Sequence, residues 1–113
     1  TLDDDKSAVE ATNGAKIDNV IMSENAPGAN VNAGNGTTIK NVENHAEDTS
    51  VTGNGTVKKV ESNQDITVQT KDTDVKNSGD SKITVTDKNG KDSTVSGGSS
   101  STTGSSSFNS RFT

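Results

Sequence analysis

The one histidine of the chain, His45, has Glu43, Glu47 and Asp48 for neighbours. Imidazole beside carboxylates is the donor set of a divalent-metal site or a general acid–base pair. Any histidine-dependent metal centre or Ser–His–Asp relay would have to use this residue alone. The run Asn44-His45-Ala46-Glu47-Asp48 falls between two β-branched stretches and reads more simply as a polar turn. The 16 acidic residues raise the question of Ca²⁺, but neither an EF-hand loop nor a Gly-Gly-x-Gly-x-Asp repeat occurs. Asn35-Gly36-Thr37 and Asn54-Gly55-Thr56 are glycosylation-type triplets, and they lack the Gly-Lys-Ser/Thr ending of a phosphate loop, so they read as turns. The absence of cysteine excludes disulfides, thiolate metal sites and thiol catalysis together. Abundant Lys and Asn leave room for a Lys–Asn isopeptide cross-link, at the loss of about one ammonia per bond. No catalytic, cofactor or metal residue is assigned, and the chain is expected not to be an enzyme.

The elements that would hold any site follow from a different pattern. Ten valines, Val9, Val20, Val31, Val42, Val51, Val60, Val68, Val75, Val85 and Val95, recur every seven to eleven residues, with Gly, Asn, Asp and Ser between them. Short strands joined by tight turns give this rhythm. The segments Gly14–Val20, Gly36–Val42 and Gly55–Val60 share an order: Gly, a small residue, Ile or Val, two polar residues, Val. Asn-Gly introduces each one, at Asn13-Gly14, Asn35-Gly36 and Asn54-Gly55, and both residue types tolerate positive φ. Further strands are expected at Ala29–Ala33, Thr49–Thr52 and Ile66–Thr70, then at Asp74–Lys76, Lys82–Thr86 and Thr94–Ser96, with Asn89-Gly90 as a fourth turn. Nothing supports helix. The fold expected is all-β: a short β-solenoid with two strands in each coil of about 20 residues. An antiparallel β-sandwich, with strands at similar spacing, is the alternative.

Composition narrows the partners. Only 24% of the 113 residues are apolar, so a thick core is out of reach and a flat or slender body is expected. The net charge of −5 and a single arginine remove the electrostatic footprint of a nucleic-acid binder, and no polybasic or amphipathic stretch argues for membrane contact. With neither Trp nor Tyr, there is little aromatic platform for carbohydrate. A polar, cysteine-free, Thr/Asn/Gly-rich β chain fits a bacterial exterior, extracellular or at the cell surface. The chain reads as mature protein or as a piece of a longer one.

Four regions are expected: an acidic N-terminal arm or lead-in strand over 1–13, the β repeat domain over 14–95, a Ser/Gly/Thr-rich linker over 96–107, and an aromatic segment over 108–113. The last region holds Phe108, Arg111 and Phe112, both phenylalanines and the only arginine of the chain. In an extended strand Phe108 and Phe112 share a face and can act as two anchors. These three are the expected assembly residues.

The repeats resemble the Val/Gly/Asn/Thr-rich β repeats of Gram-positive surface proteins that carry S-layer homology domains. The resemblance lies in Ala15–Ile21, Ala26–Val31, Val51–Val60 and Ile66–Lys71, and covers about residues 14–75. It implies an extracellular β-solenoid acting as a stalk or spacer, and the wall-binding homology domains themselves are not in this sequence. From the repeats and the tail, the expected function is a structural subunit of a bacterial extracellular filament or surface layer. Open strand edges at both ends and the C-terminal tail would then join copies into a homopolymer, with possible cell-wall association. The alternative is a monomeric stalk or adhesin module of a larger surface protein.

Overall fold

Alternate valines of the rhythm belong to different walls of one coiled β structure. A computed structural model describes residues 1–12 and 14–103. In it Val9, Val31, Val51 and Val68 stand in line on one sheet, while Val20, Val42, Val60 and Val75 stand in line on another. Each coil therefore uses two valines of the rhythm, one for each wall. Their side chains point inward because strand residues alternate faces, and the polar residues flanking each valine point out.

The first coil comprises β1 (Ala8–Ala11), β2 (Lys16–Ile17) and β3 (Val20–Met22). The second comprises β4 (Asn30–Ala33), β5 (Thr38–Ile39) and β6 (Val42–Asn44). The third comprises β7 (Thr49–Thr52), β8 (Thr56–Val57) and β9 (Lys59–Ser62). A fourth has β10 (Ile66–Val68) and β11 (Asp74–Asn77), without a strand between them. All pairings between these coils are parallel, so the structure is a β-solenoid of about four turns. Besides the two strands expected in each coil, the first three coils carry a third, two-residue strand. These strands stack Ile17, Ile39 and Val57 into a third apolar column.

The core is thin and continuous. Val31, Val42, Val51, Val57, Val60, Val68, Val75 and Ile39 are fully buried. A fourth inward position changes character along the axis, from Met22 through Asn44 and Ser62 to Asn77. These polar groups are all buried and all partnered. The Asn44 amide donates to the Ala46 carbonyl (3.1 Å) and to Ser62 Oγ (3.0 Å), and Ser62 Oγ donates to the Gln64 carbonyl (2.7 Å). Side-chain bonds of this kind, reaching two residues on, fold the corner after each coil, which explains why Asn and Ser are tolerated in so small a core.

Coil length falls steadily. Stacked valines are 22 residues apart between the first two coils (Val9 and Val31), then 20 (Val31 and Val51), 17 (Val51 and Val68) and finally 15 (Val60 and Val75). Gly55 marks the tightening. A Cβ there would fall on the Gly34 carbonyl oxygen, and in this third coil Gly53, rather than Gly55, takes the positive φ (107°) that the Asn-Gly turn predicts. In the first two coils Gly14 and Gly36 adopt it as expected.

At the C-terminal end the path reverses, and strand edges remain at both ends of the stack. β12 (Ile83–Thr86) stacks parallel on β10, but β13 (Asp92–Val95) returns antiparallel across the Asn89-Gly90 turn. β14 (Ser100–Thr102) then lies antiparallel on β11. The stretch expected as a linker from Ser96 thus enters the fold, and so does the N-terminal arm, through β1 and the bridge between Leu2 and Met22. Residues 104–113, with Phe108, Arg111 and Phe112, lie outside the described residues.

Candidate assembly surface

The two ends of the solenoid differ in how much of the apolar core they leave exposed. At the C-terminal end the apolar columns are buried, although β13 and β14 are themselves edge strands paired on one side only. β13 closes the first sheet and β14 the second, while three threonines fill the third face where the fourth coil has no strand. Thr73 Oγ1 donates to the Val57 carbonyl (2.7 Å) and pairs with Thr70 Oγ1 (2.6 Å). Thr103 Oγ1 donates to the Thr70 carbonyl (2.7 Å) and accepts from the Thr73 amide (3.1 Å). Asn77 ties coil to cap. Fully buried, it donates to the carbonyls of Ser81 (2.5 Å) and Val95 (2.9 Å), and its Oδ1 accepts from the Gly79 amide (2.9 Å).

The N-terminal end has no equivalent seal among the described residues. β1 and β2 are edge strands, each paired on one side only, with β4 and β5. The three apolar columns begin here: Val20 is buried, whereas Val9 and Ile17, together with Leu2 of the arm, are only partly buried. Leu2 covers part of β3: its amide donates to the Ile21 carbonyl (2.7 Å) and its carbonyl accepts from the Ser23 amide (2.9 Å). Asp3 then fastens the arm, accepting from Asn25 Nδ2 (3.2 Å) and from the Ser23 hydroxyl. The Ser23 bond, followed by the Asn25 bond, holds the Asp3 carboxyl below the ordinary value. Exposed Asp4, Asp5 and Glu10 make this end acidic, with Lys6 and Lys16 nearby.

No family model, curated protein or solved structure matches the chain. Function is therefore argued from the geometry of these ends and from the sequence.

The residues with chemical potential sit elsewhere. His45 Nε2 lies 2.7 Å from Glu43 Oε2, both about one-third exposed, and the pair sits on the wall near a polar hollow of about 440 Å³. Glu24, Pro27, His45, Glu47, Asn63 and Gln64 line that hollow. Among the described residues no three His, Asp or Glu side chains are placed to share a metal ion. Among the described residues lysine forms ion pairs at Lys40 with Asp18 (3.5 Å) and Lys59 with Glu61 (3.7 Å), both on the surface. Sequence reasoning missed Leu2, Val9 and Ile17 as a surface. The available signal was their place as first members of the apolar columns, which becomes readable only once the stacking register is known. Asn77 and Thr103 gave no signal, because a buried Asn or Thr in so polar a chain resembles its exposed neighbours.

Proposed function

We propose that the chain is a non-catalytic structural subunit of a bacterial extracellular filament or surface layer, joining its neighbours through the N-terminal end of the solenoid. The observation that carries this reading is the inequality of the ends. Two apolar columns begin at one end with part-exposed Val9 and Ile17, beside the free edges of β1 and β2, whereas Val75, Val85 and Val95 are buried at the other, where β13 and β14 are the edge strands. Free β edges beside exposed apolar groups are templates for a further strand. A surface that pairs with a different surface of the next copy repeats without closing, which makes a fibre. The polar walls, free of aromatic side chains in the described residues, suit a spacer that contacts its own kind end to end. Cysteine-free β composition and the repeat resemblance support an extracellular setting.

The seal at the C-terminal end also favours a second reading, the stalk or adhesin module. A stack of coils with one finished end is suited to stand as the tip of a larger surface protein, its open end receiving a coil from that protein. Negative-stain electron microscopy with sedimentation velocity over a wide concentration range separates the two. Regular fibres or concentration-dependent multimers are expected for the subunit; a monomer at all concentrations would overturn that reading in favour of the stalk.

A further inference from the structure

We propose that the free edge of β1 accepts residues 108–112 of a second copy as an added antiparallel strand, with Phe112 completing the apolar column at Val9, Arg111 facing Glu10 and Phe108 reaching past the end of β1. The inference rests on the self-assembly reading above and supplies its joint.

Three observations lead to this occupant. The inward positions of β1 are Val9, only partly buried, and Ala11, while Ala8 and Glu10 face out and are exposed. A strand beside β1 must present apolar residues at alternate positions and is favoured by positive charge between them. In 108–112 the alternate positions are Phe108, Ser110 and Phe112, and between them stand Asn109 and Arg111. Run antiparallel with Arg111 opposite Glu10, the segment sets Phe112 beside Val9 and the small Ser110 beside Ala11. Charge excludes a simpler partner: two N-terminal ends face to face would bring Asp3, Asp4, Asp5 and Glu10 against the same residues of the other copy.

Reach makes the exchange intermolecular. β14 and β3 stand at opposite ends of a five-stranded sheet, so they are about 19 Å apart at about 4.8 Å per strand, and a strand added outside β1 lies roughly one spacing farther, about 24 Å. The five residues from Thr103 to Phe108 extend at most about 17 Å. A chain's own tail falls short of its own β1. The tail of a copy stacked on the N-terminal end does not, so each subunit donates at its C-terminal end and accepts at its N-terminal one, head to tail.

The experiment uses the full chain and its variants in sedimentation velocity, with a disulfide-trapping arm made clean by the absence of native cysteine. Phe108→Ala with Phe112→Ala should abolish multimers while leaving the far-UV circular dichroism and melting temperature unchanged. Glu10→Arg and Arg111→Glu should each weaken association by about tenfold, and the two changes in one chain should restore it. Mixed under oxidising conditions, Glu10→Cys and Arg111→Cys chains should form a disulfide-linked heterodimer. Multimers that persist in the double-phenylalanine variant, with no heterodimer trapped, would overturn the tail joint and leave self-assembly standing on another contact. An unmodified chain that is monomeric throughout would overturn both.

Discussion

Replacing Asn77 by alanine should separate the cap from the last coil. The side chain is fully buried and makes three hydrogen bonds, to the carbonyls of Ser81 and Val95 and from the Gly79 amide. Val95 is itself buried, so losing the bond to its carbonyl leaves an oxygen out of reach of water and costs about 2 kcal/mol. Gly79 is half-buried and Ser81 exposed; water can replace part of what their groups lose, at about 0.5 kcal/mol each. The sum, about 3 kcal/mol, is a large share of the 5–15 kcal/mol typical of a domain. At about 4 °C per kcal/mol for this size, thermal melting followed by circular dichroism should fall by about 12 °C. Amide exchange should show β13 and β14 losing protection before the first three coils do. Asn41→Ala is the control, because Asn41 Oδ1 has no partner and its Nδ2 meets only the exposed Asn19 Oδ1 (2.9 Å). That change should move melting by no more than about 2 °C. An Asn77→Ala chain melting within about 3 °C of the parent would refute the reasoning that this side chain staples the cap.

Gly90→Ala and Gly55→Ala test different constraints. At Gly90 a Cβ meets nothing within 4 Å and only the positive φ opposes it, at about 1 kcal/mol. At Gly55 the Cβ strikes backbone oxygens of the preceding coil, so urea titration should show at least twice that loss. Val51→Ala opens a gap in a fully buried column and should cost about 2 kcal/mol, read as a lower urea midpoint at unchanged slope. Because the folded pKa of Asp3 lies below its ordinary 3.8, the contribution of its contacts with Ser23 and Asn25 is present above that value and is lost as pH falls through the lower folded one. Exchange of the Ser23 amide should therefore quicken on acidification through that range beyond the intrinsic pH trend, and Asp3→Asn should remove the excess.

Much of this architecture is legible in the sequence because the valine spacings carry it. Adding neighbouring intervals gives the coil lengths, and their fall from 22 residues to 15 is written in Val9, Val31, Val51 and Val68 on one wall and Val20, Val42, Val60 and Val75 on the other. The third wall is hidden because its strands are two residues long. Ile17 and Val20 read as parts of one strand until Asp18 and Asn19 are seen to turn a corner between them. Chain direction is hidden for another reason. Val85 and Val95 keep nearly the same spacing as the valines before them, yet they pair with Ile66 and Ile83, and the Val95 strand runs backwards. A hairpin and a half-coil use similar numbers of residues, so spacing alone cannot tell them apart. The proposed assembly surface was harder still to read, because partial exposure of Leu2, Val9 and Ile17 depends on what lies beyond them and not on what they are.

The taper makes the two ends of the stack unlike. A parallel coil adds to another only if its walls match in length and register, since a slip of one residue turns the apolar set outward. At the wide end β1 and β2 offer two walls whose columns continue unshifted into the stack. Toward the narrow end the coil loses residues until the third wall disappears, and Thr70, Thr73 and Thr103 fill its place with hydroxyls bonded to one another and to the backbone. A further parallel coil laid there would face no third column, and it would have to displace β13 and β14 from the edges they occupy. Closure is built up residue by residue along the stack, from shortening turns to a reversed strand. At the opposite end Val9 and Ile17 still meet solvent.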